Sequence, residues 1–174
     1  MTQPDRPDIV FTSRYGSARR YALLLAERLQ TVAVDLGASR FEPTATPLIV
    51  IAPIYAGRLL KLRALRRVVA GSRGPVALAV VGLTDIDHEN RSPVADSIKA
   101  ATNASVPVFN LRGDYRPAEL SFVHRMMMKM MKSQLRKDPG LGQQSGAREI
   151  VEDLPFDGVD PAALEPLARW AEQH

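Results

Sequence analysis

Apolar, β-branched runs alternate with amphipathic stretches along most of this chain. Asp8–Phe11 reads as a short buried strand and Ser17–Gln30 as a helix. Thr31–Leu36 fits a second strand, stopped by Gly37. Leu48–Ile54 (LIVIAPI) carries no polar alternation, which implies a strand buried on both faces. Arg58–Ala70 follows as a helix closed by Gly71, and Val76–Val81 as another buried strand. Pro93–Thr102 reads as helical, and Val106–Leu111 ends the run of strands. Five strands with intervening helices predict an α/β fold, a parallel sheet covered on both faces. Right-handed crossovers then gather the turns at the strands' C-terminal ends along one edge, where such folds bind ligands.

The rest departs from that alternation. Residues 112–137 read as a charged turn followed by a methionine-rich helix, and 138–146 (DPGLGQQSG) as a flexible connector. Asp160-Pro161 is a helix start, Asp as N-cap and Pro at the first helical position, opening a C-terminal helix over 160–173. There is no internal repeat. At 174 residues the whole chain, 1–174, fits one domain, with 112–146 as an insert. The absence of cysteine excludes disulfides, thiolate metal sites and a cysteine nucleophile, and no metal site is expected. No apolar run approaches the roughly 18 residues needed to span a bilayer. The N-terminus carries two aspartates and no apolar core of a secretory signal, so the expected compartment is the cytoplasm.

Charge is unevenly placed. Residues 149–174 carry seven acids against Arg169, a net of −6, so the first 148 residues hold +10 of the formal +4. A basic body of that size attracts phosphates, acidic lipid head groups or nucleic acid. No nucleic-acid motif is present and the basic helices lack interleaved aromatics, so nucleic acid is not an expected partner. Nothing in the sequence sets an oligomeric state.

Three turns share the ligand-binding edge. The first, in FTSRYGSARR (11–20), has neither the G-x-x-x-x-G-K-[ST] nor the G-x-G-x-x-G pattern. The aspartates of a phosphoacceptor receiver are also missing, as is a G-x-S-x-G elbow. What it offers is Thr12, Ser13, Ser17 and backbone N–H groups at a helix N-terminus, which suit a phosphate. The same residues also fit an ordinary polar turn with Ser17 as N-cap. The second turn, APIYAGRL (52–59), carries Tyr55 at its apex, as a core plug or as a stacking surface for a flat ligand. The third, VGLTDID (81–87), is polar. Together they suit a flat ring with a phosphate tail.

IVFTSRYGSARRYALLLAERL together with IVIAPIYAGRL resembles the flavodoxin family, up to about residue 111. The resemblance implies a flavodoxin-like three-layer sandwich with strand order 2-1-3-4-5, and FMN as cofactor. Thr12, Ser13, Arg14, Tyr15, Gly16, Ser17 and Ala18 would surround the FMN phosphate. Pro53, Ile54, Tyr55, Ala56 and Gly57 would flank the isoalloxazine, and Gly82, Leu83, Thr84 and Asp85 would close its other side. Ala18 stands where the family usually places a second Thr or Ser. That removes one hydrogen bond to a charged acceptor, worth about 1–3 kcal/mol, which Arg14, Arg19 or Arg20 could offset.

RGDYRPAELSFVHRMMMKMMK is similar to a region of the quinone-dependent protoporphyrinogen IX dehydrogenase branch, through Tyr115-Arg116-Pro117 and Arg125-Met126-Met127. His124 stands where that branch typically shows an aspartate. The branch implies an oxidoreductase passing electrons between a flat hydrophobic donor, such as protoporphyrinogen IX, and a quinone-type acceptor. The alternatives are a basic electron-transfer flavodoxin without its own substrate, or a flavin-free binding module. Helical spacing alone sets Arg125, Lys129, Lys132 and Arg136 on one stripe, with Leu120, Val123, Met127, Met130 and Met131 opposite. Such a helix can lie peripherally on the inner face of a membrane or mould around a flat hydrophobic substrate. It can equally pack on the sheet with a solvated basic stripe. Tyr115, Arg116, Arg125, Met127, Lys129, Met131, Lys132 and Arg136 are the residues expected on the substrate or membrane side. Tyr115 and His124 could handle protons there, and no catalytic role is assigned.

Overall fold

The structure, a computed structural model, describes residues 6–55, 58–83, 96, 106–137 and 146–174. Strand β1 (Asp8–Phe11) leads into helix α1 (Ser17–Arg28), and β2 (Ala33–Asp35) follows. Next come β3 (Leu48–Tyr55), the two-residue β4 (Arg58–Leu59), α2 (Leu62–Gly71), β5 (Val76–Gly82) and β6 (Val108–Arg112). The sheet runs β2-β1-β3-β5-β6, all parallel, with β4 antiparallel to β3 off that path. Leaving out the short β4, this is the expected 2-1-3-4-5 order.

The unalternated strands are buried on both faces for the reason their composition gives. Ile9, Phe11, Ile49, Ile51, Ala77 and Ala79 face a core filled by Tyr21, Leu25, Leu164 and Leu167 from α1 and the C-terminal segment. Their neighbours Val10, Leu48, Val50, Leu78 and Val80 face Leu65, Val68 and Val69 of α2. Period-two side-chain alternation thus feeds two layers from each strand.

Two differences from expectation matter near the site. The helix expected from Arg58 begins only at Leu62. Arg58 and Leu59 pair back on Tyr55 and Ile54, Leu60 N–H donates to the Pro53 carbonyl (3.0 Å), and Lys61 turns through φ 56° before the helix starts. α1 likewise stops at Arg28, where Gln30 at φ 53° and Thr31 N–H to Ala26 O (2.9 Å) close its end. The helix expected at Pro93–Thr102 lies outside the described residues, as does the connector up to Gly146.

The C-terminal third adds α3 (Phe122–Lys137), a short α4 (Ala147–Val151) that the sequence pattern did not suggest, and α5 (Glu165–Glu172). Asp160 caps as expected, its Oδ1 accepting from Ala162 N–H at 2.9 Å, although Pro161–Leu164 form a 3-10 turn before α5. Tyr21 pins this segment from α1. Its hydroxyl donates to the Arg112 carbonyl (2.8 Å) and accepts from Asp160 N–H (2.9 Å). A third, smaller cluster forms around buried Tyr115, Leu135, Ala147 and Ile150.

Candidate functional site

The loop between β1 and α1 turns on Gly16, which sits at φ 99°, a conformation only glycine adopts without strain. A Cβ placed there would meet nothing within 4 Å, so the space beside Gly16 is open. The Gly16 N–H donates to Ser13 Oγ (3.2 Å) and the Asp114 N–H to Ser17 Oγ (2.9 Å). Each serine thus accepts a backbone proton and keeps its own O–H to donate to an anion. Arg20 N–H is the first in α1 to reach back, to the Gly16 carbonyl. The N–H groups of Ser17, Ala18 and Arg19 therefore have no acceptor within the helix. No acid lies in the first turn. Donors, helix polarity and the open space beside Gly16 fit a phosphate.

Other residues assigned to the loop do different work. Thr12 is fully buried and its hydroxyl donates to the Leu60 carbonyl (3.2 Å), tying the phosphate-side turn to the β3–β4 hairpin. Ala18 packs its methyl into the main core and can offer an anion only its N–H. Arg20 is committed to Asp114 (2.9 Å) and Asp157 (3.0 Å), so it does not offset Ala18. Arg14 is exposed and lies over the Tyr15 ring, 5.8 Å from its centroid.

Pro53 is buried, while Ile54 and Tyr55 reach the strand's end half-buried. Gly82 is buried with its carbonyl taken by Gly113 N–H (2.7 Å), beside half-buried Leu83. Ala56, Gly57, Thr84 and Asp85 lie outside the described residues.

Three rings meet over this edge. His124 of α3 stacks on Tyr55 with centroids 4.7 Å apart and planes 22° apart. Tyr15 stands edge-on to both, 5.4 Å from His124 and 6.2 Å from Tyr55. The Tyr15 hydroxyl and His124 Nδ1 are 2.6 Å apart, and Ser121 N–H donates to the same hydroxyl (3.2 Å). Burial and then the Arg14 charge push the His124 pKa below the usual imidazole value. That shift favours the neutral ring, whose Nδ1 accepts from Tyr15 O–H in the tautomer protonated at Nε2. Burial resists ionisation of Tyr15, but bonds from Ser121 and the nearby Arg14 outweigh it and leave its pKa below the usual phenol value. Burial, helped by Tyr15, pushes Tyr55 up to about 12.

The other expected residues of the C-terminal region separate. Tyr115 is only 1% exposed, so it lies on no substrate or membrane surface. Its hydroxyl donates to Asp153 (2.8 Å), and burial followed by that acid raises its pKa. Arg116 is half-exposed and paired with Glu119 and Asp114. Lys132 leaves the expected basic stripe, turning inward to an ion pair with Asp153. Met127 and Met131 are half-buried, whereas Arg125, Lys129 and Arg136 are exposed. Val123 (63% exposed) and Met130 (69%) are turned outward rather than inward, beside Phe122 (78%) and Met126 (50%). The rotation follows from Met128, Met131 and Leu135, which seat the helix on the Tyr115 cluster.

Leu60, Asp114 and Ser121 serve the site without any signal in the sequence. Their partners lie 48, 97 and 106 positions away. Among the described residues no helix is long and apolar enough to cross a membrane.

Comparison with known proteins agrees with this geometry. Residues 9–140 match the family described as flavodoxin domain, and no curated protein matches the chain. The match covers well over half of the chain and includes both loops that meet at the ring cluster, on a parallel sheet of the same order. The chain belongs to the flavodoxin-domain family, which binds FMN.

Proposed function

We propose that this protein is an FMN-dependent oxidoreductase passing electrons between a flat hydrophobic donor and a quinone-type acceptor, with a tetrapyrrole such as protoporphyrinogen IX as the donor. The observation that carries the reading is α3. It exposes Phe122, Val123, Met126 and Met130 to the outside while its inner side sets His124 on the flavin loops. Helix Phe122–Lys137 contains Arg125, Lys129, Lys132, Arg136 and Lys137 and no acid. An apolar strip bordered by cations suits the surface of an anionic bilayer, where hydrophobic donors and quinones reside. Electron uptake and release is the chemistry FMN supplies when bound. The chain's part is to hold it, with Ser13, Ser17 and the N–H groups of Ser17, Ala18 and Arg19 on the phosphate and Tyr55 beside the ring. Tyr15 and His124 hold a proton between them at the same edge.

A second reading, a substrate-free basic electron shuttle, draws support from residues 58–73. That segment carries Arg58, Lys61, Arg63, Arg66, Arg67 and Arg73 without an acid, directly after the Tyr55 strand. Such a face suits an acidic protein partner.

Visible spectra with and without added FMN come first. Reoxidation of the reduced protein by a quinone is then compared with reoxidation by oxygen, with and without anionic vesicles. Faster quinone reoxidation on vesicles that is lost in Met126→Glu supports the oxidoreductase. Vesicle-independent reoxidation by oxygen alone favours the shuttle. A protein that ignores FMN removes both and leaves a binding module on this fold.

A further inference from the structure

α3 is fastened at one end and clasped at the other. Its C-terminal half is seated by Leu135, Met131 and the Lys132–Asp153 ion pair on the Tyr115 cluster. Its N-terminal half exposes most of its side chains, and His124, with Ser121 just before the helix, ties it to the body through Tyr15. Both rings that His124 touches come from the flavin loops. Tyr15 lies in the phosphate-side turn, one residue before Gly16, and Tyr55 ends β3 on the ring side. No hydrogen bond between Tyr15 and Tyr55 is present; their edge contact is closed into a triangle by the imidazole.

We propose that His124 is a positioning residue for the flavin: from α3 it holds Tyr15 by a hydrogen bond and Tyr55 by stacking, and so fixes the phosphate-side turn against the ring-side strand. This rests on the assignment of FMN to these loops. One imidazole does both tasks because its acceptor nitrogen lies in the ring plane, toward Tyr15, while its face lies on Tyr55. Among the described residues, the charged and titratable groups around it are Arg14 and Tyr15 from the phosphate-side turn, Tyr55 from β3 and Arg125 on its own helix. The last turns away to donate from Nε to the Leu120 carbonyl (2.9 Å). With centroids 4.7 Å apart, no third ring fits between Tyr55 and His124. A flavin ring therefore either uses the clamped pair as its wall or displaces His124. The two possibilities move FMN affinity in opposite directions when the imidazole is removed.

Ordering two side chains before binding is worth about tenfold in affinity. His124→Ala is accordingly expected to weaken FMN binding about tenfold by fluorescence quenching. His124→Asn, which keeps an acceptor for Tyr15, and His124→Phe, which keeps a ring on Tyr55, should each recover part of the loss. Tyr15→Phe combined with His124→Ala should cost less than the two single effects together, because both remove the same bond. A merely structural role would lower the melting temperature of all variants alike without this pattern in affinity. Hydrogen exchange of the amides at residues 13–17 in the FMN-free protein supplies a readout that needs no flavin, and His124→Ala should speed it. Equal or tighter FMN binding by His124→Ala overturns the clamp in favour of competition for Tyr55. If the unaltered protein does not bind FMN, the cofactor assignment falls, while unchanged exchange in His124→Ala would separately refute the clamp.

Discussion

Gly16→Ala isolates the backbone of the phosphate cradle. A Cβ at Gly16 would meet nothing within 4 Å, so alanine adds no clash and its whole cost is conformational. At φ 99° and ψ −26° an L-residue sits in left-handed space, which costs about 1–2 kcal/mol. The loop can meet that cost in two ways. If it keeps its shape, the strain is present with and without FMN. Stability then falls by about 1–2 kcal/mol, which lowers the melting temperature by about 2–8 °C in a chain of this size, and FMN affinity stays the same. If the loop relaxes, stability recovers, but binding must restore the strained shape and FMN weakens, by up to about thirtyfold. Strain is conserved between the two measurements: the stability loss and the affinity loss should together come to about 1–2 kcal/mol. Urea unfolding of the flavin-free protein and fluorescence titration with FMN give the two parts. Gly16→Asn should show a smaller sum, since asparagine tolerates this region better. A sum near zero would refute the need for positive φ, and one far above about 3 kcal/mol would refute the open cradle. Gly74→Ala is the contrast, because its Cβ would stand 2.2 Å from the Thr46 carbonyl oxygen.

Three further outcomes can be checked. Tyr115→Phe keeps the buried ring but loses the bond to Asp153, at a cost of about 1 kcal/mol; thermal unfolding should show a drop of about 2–4 °C. Arg20 beside Asp157 holds that carboxyl at about 2, below its ordinary 3.8. A depressed acid stabilises above its unfolded pKa and loses the contribution as pH falls through the folded one. Asp157→Asn should therefore flatten the decline of melting temperature between about pH 4 and pH 2, and an unchanged acid limb would count against the Arg20 pair. Ala18→Ser puts a hydroxyl where the methyl now packs in the core, so stability should fall by about 1 kcal/mol with FMN affinity unchanged. Tighter FMN binding would show instead that this position faces the phosphate.

The sheet was legible because its inner strands β1, β3 and β5 are apolar on consecutive residues, a pattern that double burial explains, and Gly and Pro mark the turns between. The cradle was legible in part. Gly16, Ser13 and Ser17 follow from residue type at a strand-to-helix turn. That Thr12 is spent on the Leu60 carbonyl does not follow, because a β3–β4 hairpin of two residues per strand leaves almost no periodic trace. α3 illustrates a different limit. Helical spacing gives its length and amphipathic character, but with apolar residues at 122, 123, 126, 127, 128, 130 and 131 several faces qualify as the inner one. The choice falls to what the helix meets, namely Tyr115, Ile150 and an acid at Asp153, and none of these is close in sequence.

The charge asymmetry acquires a different meaning in the folded chain. Taken alone, +10 over the first 148 residues and −6 over the rest suggest a basic surface awaiting an anionic partner. In the fold the acidic segment returns to the basic body, pairing Asp157 with Arg20, Glu165 with Arg28 and Asp153 with Lys132. The exposed pairs of Asp157 and Glu165 contribute little each, but together with the inward-turned Lys132 the pairing takes Arg20 out of the phosphate cradle and Lys132 out of the α3 stripe. Arg125, Lys129 and Arg136 stay exposed beside Phe122, Val123, Met126 and Met130 on a helix without an acid. The tail thus leaves the basic character of α3 on its outward side, the side that also carries the exposed apolar strip. Under the membrane-facing reading proposed above, a surface shaped in this way would select an anionic boundary with an apolar interior over a plain polyanion. Vesicle binding by α3 should accordingly depend on both Lys129 and Met126, and loss of the charge alone should be recoverable at low ionic strength, whereas loss of the apolar contact should not.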